Sequence, residues 1–168
     1  MKMIKGRMYL LGNSISTDMI FPPKAIEAQD GSKLAELAFS ELNKSQSGKI
    51  KDGDIIVAGT HFGVCYQAHS QVYLEKAIDC LKELGIRCII AGSFSRLFYR
   101  CAINGGITLL ESKDACKLIS LGEEIEVDPT RGLITHKAGQ IKAIALPETV
   151  IRILDAGGLI PYVKKLIG

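Results

Sequence analysis

Two of the chain's three histidines fall in one short stretch, residues 59–70, which reads GTHFGVCYQAHS and also holds Cys65, Tyr66, Gln67 and Ser70. Histidine is the side chain whose ordinary titration lies near neutral pH, so His61 and His69 are candidates for moving a proton. Cys65 precedes His69 by four residues, a spacing from which an imidazole can activate a thiol. The Tyr66 phenol is a further candidate base, though an ordinary phenol holds its proton at neutral pH, and Gln67 can hydrogen-bond a bound molecule. The plainer alternative is an extended turn whose polar side chains satisfy its own backbone. Composition leaves both open.

What must position such a stretch is the segment around it, residues 53–110. Three apolar, β-branched runs stand out in it: Ile55-Ile56-Val57-Ala58, Cys88-Ile89-Ile90-Ala91 and Ile107-Thr108-Leu109-Leu110. Each is short and bounded by Gly or a polar turn, as strands buried on both faces are. Between the first two, Val72, Leu74, Ala77, Ile78 and Leu81 recur near helical spacing, with Gly85 as the stop. Between the second and third, residues 94–103 predict a shorter helix with Ser93 as its N-cap. The sum is a parallel β-α-β-α-β unit with right-handed crossovers. Ligands of such sheets gather at loops leaving the carboxyl ends of the strands, which here are residues 59–69 and Gly92-Ser93. Arg96 and Arg100, four apart, share a face of the second helix near its anion-friendly start. Arg96 could meet a carboxylate there together with Ser93. Pairing with acids or contact with another subunit is the commoner fate of such arginines.

Nearly the full length resembles the small subunit of 3-isopropylmalate dehydratase, the free-standing form of aconitase's swivelling domain. The matching stretches, in order, are GRMYLLGNSISTDMIFP, GDIIVAGTHFG, IIAGSFSRLFYRCAINGGITLLE, GEEIEVDPTRGLI and LPETVIRILDAGGLIPYVKK. The resemblance implies one α/β domain over residues 1–168, a three-layer β/β/α swivelling domain. Its central sheet would be mainly parallel, with a small antiparallel part near the C-terminus. It also implies a hydro-lyase that dehydrates and isomerises a small hydroxy di- or tricarboxylate. The [4Fe-4S] cluster would sit on a companion large subunit, with no cofactor in this chain. Family members carry Gly-Ser-Ser-Arg-Glu in the first loop after Asn-Phe-Gly-Cys, a serine acting as base and the arginine holding a substrate carboxylate. Here His61 takes the asparagine position, and Tyr66-Gln67-Ala68-His69 take the place of Ser-Ser-Arg-Glu. Thr17-Asp18 match part of the family's Asp-Thr-Asp run near the active site, with Ser16 in place of the first aspartate. As a local matter, Thr17 or Asp18 would simply cap a turn. A frame kept for assembly or regulation, or a stand-alone Cys/His enzyme, are the alternative functions.

Other bounds narrow the classes. At 168 residues, with 47% hydrophobic and 23% charged residues, the chain can bury a real core. A net charge of +3, spread along the sequence, does not suggest nucleic acid. No apolar run is of membrane-spanning length and the start lacks a secretory core, so a cytoplasmic protein is expected. Five cysteines at wide spacings without a C-x-x-C pair read as reduced thiols, and none of the spacings suits an iron-sulfur cluster. Whether the isolated chain self-associates stays open. The remaining expectations are a strand over residues 6–11, an amphipathic helix over 32–42, and a polar linker over 45–49. Beyond the core unit come a short helix within 114–121, strands at 125–128, 133–136 and 140–146, and a helix opened by Pro147. Gly157-Gly158 ends that helix, and a last one spans 159–167. Residues 24–31 occupy the place of the family's substrate-selecting loop. His136, on a strand, reads as a solvent-facing or hairpin-packing histidine rather than as a ligand.

Overall fold

The computed structural model describes residues 2–22, Phe39, residues 50–65 and residues 70–168, the side chains of residues 70–72 excepted. The expected helix over 32–42, the linker over 45–49 and the loop over 24–31 lie outside the described residues, Phe39 apart. Seven strands form one mixed sheet in the order β4-β3-β2-β1-β5-β6-β7. Strands β1 (Ile4–Leu10), β2 (Ile55–Ala58), β3 (Cys88–Ala91) and β4 (Thr108–Glu111) pair in parallel. Strands β5 (Glu124–Asp128), β6 (Leu133–His136) and β7 (Gly139–Lys142) continue antiparallel from the other edge of β1. The parallel sheet and the antiparallel part near the C-terminus thus follow the fold that the resemblance implies.

The period of two along each parallel strand divides the core into two layers. Tyr9, Ile56, Ala58, Ile89, Ala91 and Leu109 face one side. There α2 (Ser70–Glu83), α3 (Arg96–Asn104) and α5 (Glu148–Asp155) cover them with Leu81, Phe98 and Leu154. Met8, Ile55, Val57, Cys88, Ile90 and Leu110 face the other side, and the antiparallel strands bring Ile125, Val127, Ile134 and Ile141 over them. A short helix, α4 (Ala115–Leu118), completes that layer with Ala115. The strands of the parallel half are buried on both faces because a second β layer, not water, meets their far side.

Several boundaries differ from the sequence expectations. The first strand is Ile4–Leu10 rather than 6–11, because pairing with β5 begins at Ile4↔Val127. The helix expected over 94–103 starts at Arg96, and its N-cap is Ser95, whose hydroxyl accepts from the Phe98 N–H at 3.3 Å. Ser93 is held elsewhere. The strand expected over 140–146 stops at Lys142, after which Ala143 and Leu146 donate to the carbonyls of Gly132 and Pro129. At Ser16, whose hydroxyl accepts from Met19 N–H, a four-residue helix α1 (Thr17–Ile20) is capped, a role expected of Thr17 or Asp18. The last helix, α6, is Leu159–Ile167 as expected. No helix among the described residues is long and apolar enough to cross a membrane.

His136 packs in the hairpin: its side chain is 6% exposed and its Nδ1 lies 3.2 Å from Glu123 Oε1. Burial works against the charge of Glu123. The N–H groups of Lys137 and Ser120, together with His136, outweigh it and hold the carboxyl below the usual carboxylate range. A depressed carboxyl contributes stability above its unfolded pKa, and that contribution is lost as pH falls through the folded value. Glu123→Gln should therefore flatten the acid limb of stability against pH below about 4.5. Urea midpoints measured from neutral pH downward check this; an unchanged acid limb refutes it.

Candidate functional site

The three loops at the carboxyl edge of the parallel strands are stitched into one surface. Residues 59–65, leaving β2, run between residues 12–16, leaving β1, and residues 92–95, leaving β3. Parallel bridges at Ser16↔Val64 and Phe62↔Phe94 continue the strand order past the sheet itself. On one side Ser14 N–H donates to Thr60 O at 2.8 Å, Gly63 N–H to Ile15 O at 2.7 Å and Thr17 N–H to Val64 O at 2.9 Å. On the other, Phe62 N–H donates to Ser93 O at 3.0 Å and Ser95 N–H to Phe62 O at 2.9 Å. Side chains add to this: Asn13 Oδ1 accepts from Thr60 N–H at 2.9 Å, Ser93 Oγ from His61 N–H at 2.9 Å, and Ser95 Oγ donates to Gly63 O at 2.6 Å. Ser93 therefore positions His61 instead of capping a helix.

Phe62 anchors the middle loop. Its fully buried ring lies edge-on to Phe98 at 5.3 Å between centroids and to Phe94 at 6.0 Å. Gly63 follows at φ +76°, where a Cβ would lie 2.1 Å from Phe98 Cγ, so no larger residue fits. His61 precedes Phe62 at φ +60°, a left-handed conformation that histidine enters more readily than most side chains, and it is exposed at the edge. A strained residue held between two hydrogen-bonded neighbours is a common feature of working sites.

Thr17 and Asp18 lie against this loop through the Thr17 N–H bond to Val64. Among the described residues, Thr17 Oγ1 and Asp18 Oδ1 are both buried without a hydrogen-bond partner. Buried polar atoms are nearly always paired, and an unpaired one costs about 1–3 kcal/mol. Two such atoms on adjacent residues beside one loop make this edge the candidate site. Cys65 is half-buried at the end of the described loop. Arg96 stands exposed just past Ser95 on the same edge, and neither it nor Arg100 enters an ion pair among the described residues. Tyr66, Gln67 and His69 lie outside the described residues. The structure thus gathers Thr17, Asp18, His61, Cys65, Ser93 and Arg96 at one edge. Asn13, Ser16 and Ser95, which hold that edge together, carry no chemical signal in the sequence beyond a serine ahead of a helix.

Clefts of about 360 Å³, lined by Leu11, Asn13, Gly59 and Cys116, and about 320 Å³, lined by Gly92, Glu111, Lys142 and Ile144, open on this edge. A larger one of about 530 Å³ lies at the opposite edge among Lys2, Asp52, Arg87 and Thr108. It sits at the amino ends of the strands, where ligands of parallel sheets are not usually held. No group of three or more His, Cys, Asp or Glu side chains suited to a metal ion occurs among the described residues. Burial pushes the Cys80 and Cys88 thiols up to about 12, the reverse of what a thiolate ligand needs. Because Thr17 Oγ1 is an orphan, Thr17→Val should leave the isolated chain as stable or about 1 kcal/mol more stable. A lowered denaturant midpoint would show instead that the hydroxyl has a partner.

No family model matches the chain. Similar proteins are nonetheless plain. It is 37% identical to the 3-isopropylmalate dehydratase small subunit of Lachnospira eligens, over 97% of this chain and 95% of that one. It is 40% identical to the isopropylmalate/citramalate isomerase small subunit of Methanocaldococcus jannaschii, over 96% and 94%. To the 2,3-dimethylmalate dehydratase small subunit of Eubacterium barkeri it is 37% identical, over 95% and 96%. The crystal structure of 3-isopropylmalate dehydratase from Methanocaldococcus jannaschii superposes with a TM-score of 0.84 at 33% identity, covering 98% of this chain and 95% of that one. With such identity spread over almost all of both chains, this chain belongs to the family of 3-isopropylmalate dehydratase small subunits.

Proposed function

We propose that the chain works with a companion large subunit as a hydro-lyase on a small hydroxy di- or tricarboxylate, and that its carboxyl-edge loops form its share of the active site. Three relatives are named for isopropylmalate, citramalate or 2,3-dimethylmalate chemistry, all hydroxy diacids. The observation that carries the reading is the pair of buried, partnerless polar atoms on Thr17 and Asp18, set beside the loop that holds His61. A [4Fe-4S] cluster on the companion would supply Lewis acidity toward the substrate hydroxyl.

This chain's own residues bind, orient and handle a proton. The Thr17 hydroxyl can donate to a substrate carboxylate, and the Asp18 carboxylate can accept from a hydroxyl or a cationic group facing it. Both atoms are already desolvated, so a hydrogen bond made there is stronger than one made in water. Arg96 offers a planar, two-pronged donor to a carboxylate, the task for which Ala68 leaves no arginine in the first loop. His61, with its backbone fixed by Ser93, presents an imidazole able to take a proton from carbon and return it. Tyr66 and His69 are further candidate bases, Cys65 a candidate nucleophile or proton donor, and Gln67 a candidate substrate contact. A frame retained only for assembly is the second reading, favoured by Tyr66-Gln67-Ala68-His69 standing where the family has Ser-Ser-Arg-Glu.

Reconstitution with a cluster-bearing large subunit, assayed for water elimination on 3-isopropylmalate, citramalate and 2,3-dimethylmalate, tests the proposal. Activity is expected on at least one of them. Asp18→Ala should lower kcat/KM about 10-fold or more, and His61→Ala should lower kcat by on the order of 10²-fold. A stable complex inactive on every hydroxy diacid would leave the assembly reading in its place.

A further inference from the structure

The cleft of about 530 Å³ opens at the amino ends of the four parallel strands. It lies at the opposite ends of those strands from the edge that carries Thr17, Asp18 and His61. Two of its charged groups are already engaged. Asp54 takes the two-pronged Arg7 guanidinium at 3.0 and 2.6 Å and also accepts from Lys51 N–H at 2.8 Å. Lys5 pairs with Glu126 on the neighbouring strand. Lys2, Asp52 and Arg87, all exposed around the same cleft, enter no ion pair or side-chain hydrogen bond among the described residues.

The backbone gathers these groups. Asp52 Oδ1 rests on Gly85, where any side chain would collide with it. Arg87 is two residues further on, within about 7 Å along the chain. Thr108, beside it on β4, donates its N–H to Arg87 O at 2.9 Å. Thr108 is 2% exposed and lines the cleft, and its hydroxyl has no hydrogen-bond partner among the described residues. A buried hydroxyl is seldom left unbonded, so this one is a polar contact on offer to whatever enters. Ile4 and Leu154 supply apolar wall. One cleft thus holds two free cations, one free carboxylate and a free hydroxyl beside aliphatic surface.

We infer that the cleft binds a free α-amino acid with an aliphatic side chain. Arg87 presents a planar pair of donors that fits a carboxylate, with Lys2 adding charge and the Thr108 hydroxyl a further bond. Asp52 accepts from the ammonium group. A plain carboxylate would bring a like charge up to Asp52, and a plain amine would bring one up to Arg87. A zwitterion answers both signs at once, which makes it the ligand class that this arrangement selects. Its side chain then rests on Ile4 and Leu154, where a charged side chain would lose water without gaining a partner.

Titration of the isotope-labelled full chain with norvaline, followed through its backbone amide resonances, tests this without a large subunit. Saturable shifts are expected at residues 52–55, 87–88 and 106–108. N-acetylnorvaline, which lacks the ammonium, and norvalinamide, which lacks the carboxylate, should each bind about tenfold more weakly or worse. Arg87→Gln and Asp52→Asn should each weaken norvaline by about tenfold or more, with an unchanged circular dichroism spectrum, since both side chains are exposed. No saturable shift overturns the inference. So do blocked compounds that bind as tightly as norvaline, which would make the cleft a simple ion site. Variants that bind norvaline like wild type, or shifts confined to residues 12–18 and 59–65, overturn it as well.

Discussion

The carboxyl edge of the parallel strands depends on one buried ring. Phe62 sits in the middle of the loop leaving β2, wholly removed from water and wedged edge-on between Phe94 and Phe98. Burial of a phenylalanine is worth about 2–3 kcal/mol, with about 1 kcal/mol more for well-placed aromatic pairs. That is enough to hold the neighbouring His61 in the left-handed region, at a typical cost of 1–3 kcal/mol. Its flanking carbonyl and amide bonds to Ser93 and Ser95 then fix where the imidazole stands. The loop is a short, irregular continuation of the sheet, pinned by a core residue and therefore able to carry strain.

The second feature of that edge is what it lacks. Thr17 and Asp18 carry buried oxygen atoms with nothing to bond among the described residues, against the strong tendency of folded chains to pair every such atom. The fold tolerates them because α1 is itself anchored by the Ser16 cap and the Thr17 N–H bond to Val64. Two desolvated oxygens without a bond are a cost to stability that this packing carries.

Much of the frame was legible in the sequence because it rests on local pattern. Ile55–Ala58 and Cys88–Ala91 read as doubly buried strands, and the β-branched runs formed at those bounds. The last helix, over 159–167, was marked by Gly157-Gly158, which end the helix before it. What sequence could not show was which serine would cap which element. Ser93 and Ser95 are two apart and alike in propensity, and the choice fell to Ser95 because Phe94 is drawn into a bridge with Phe62, delaying the helix by two residues. The third antiparallel strand ended at Lys142 for a similar reason: Gly132 and Pro129 offer carbonyls that draw residues 143–146 away from β6. At the site, residue types singled out His61 and Cys65, and family pattern singled out Thr17 and Asp18. Neither could reveal that two of their atoms would be left unpaired, since that is a property of the packed whole.

The sheet order has a consequence for how the molecule is made. Strand β1 lies at the centre, yet its neighbours β2 and β5 come from about fifty and about a hundred and twenty residues along the chain. A segment synthesised early must stay unpaired until both flanks have emerged, and contacts so distant in sequence close slowly. With Met8 and Tyr9 among its core residues, this waiting strand is the adhesive part of the nascent chain, and its shielding is a task for whatever meets the polypeptide as it leaves the ribosome.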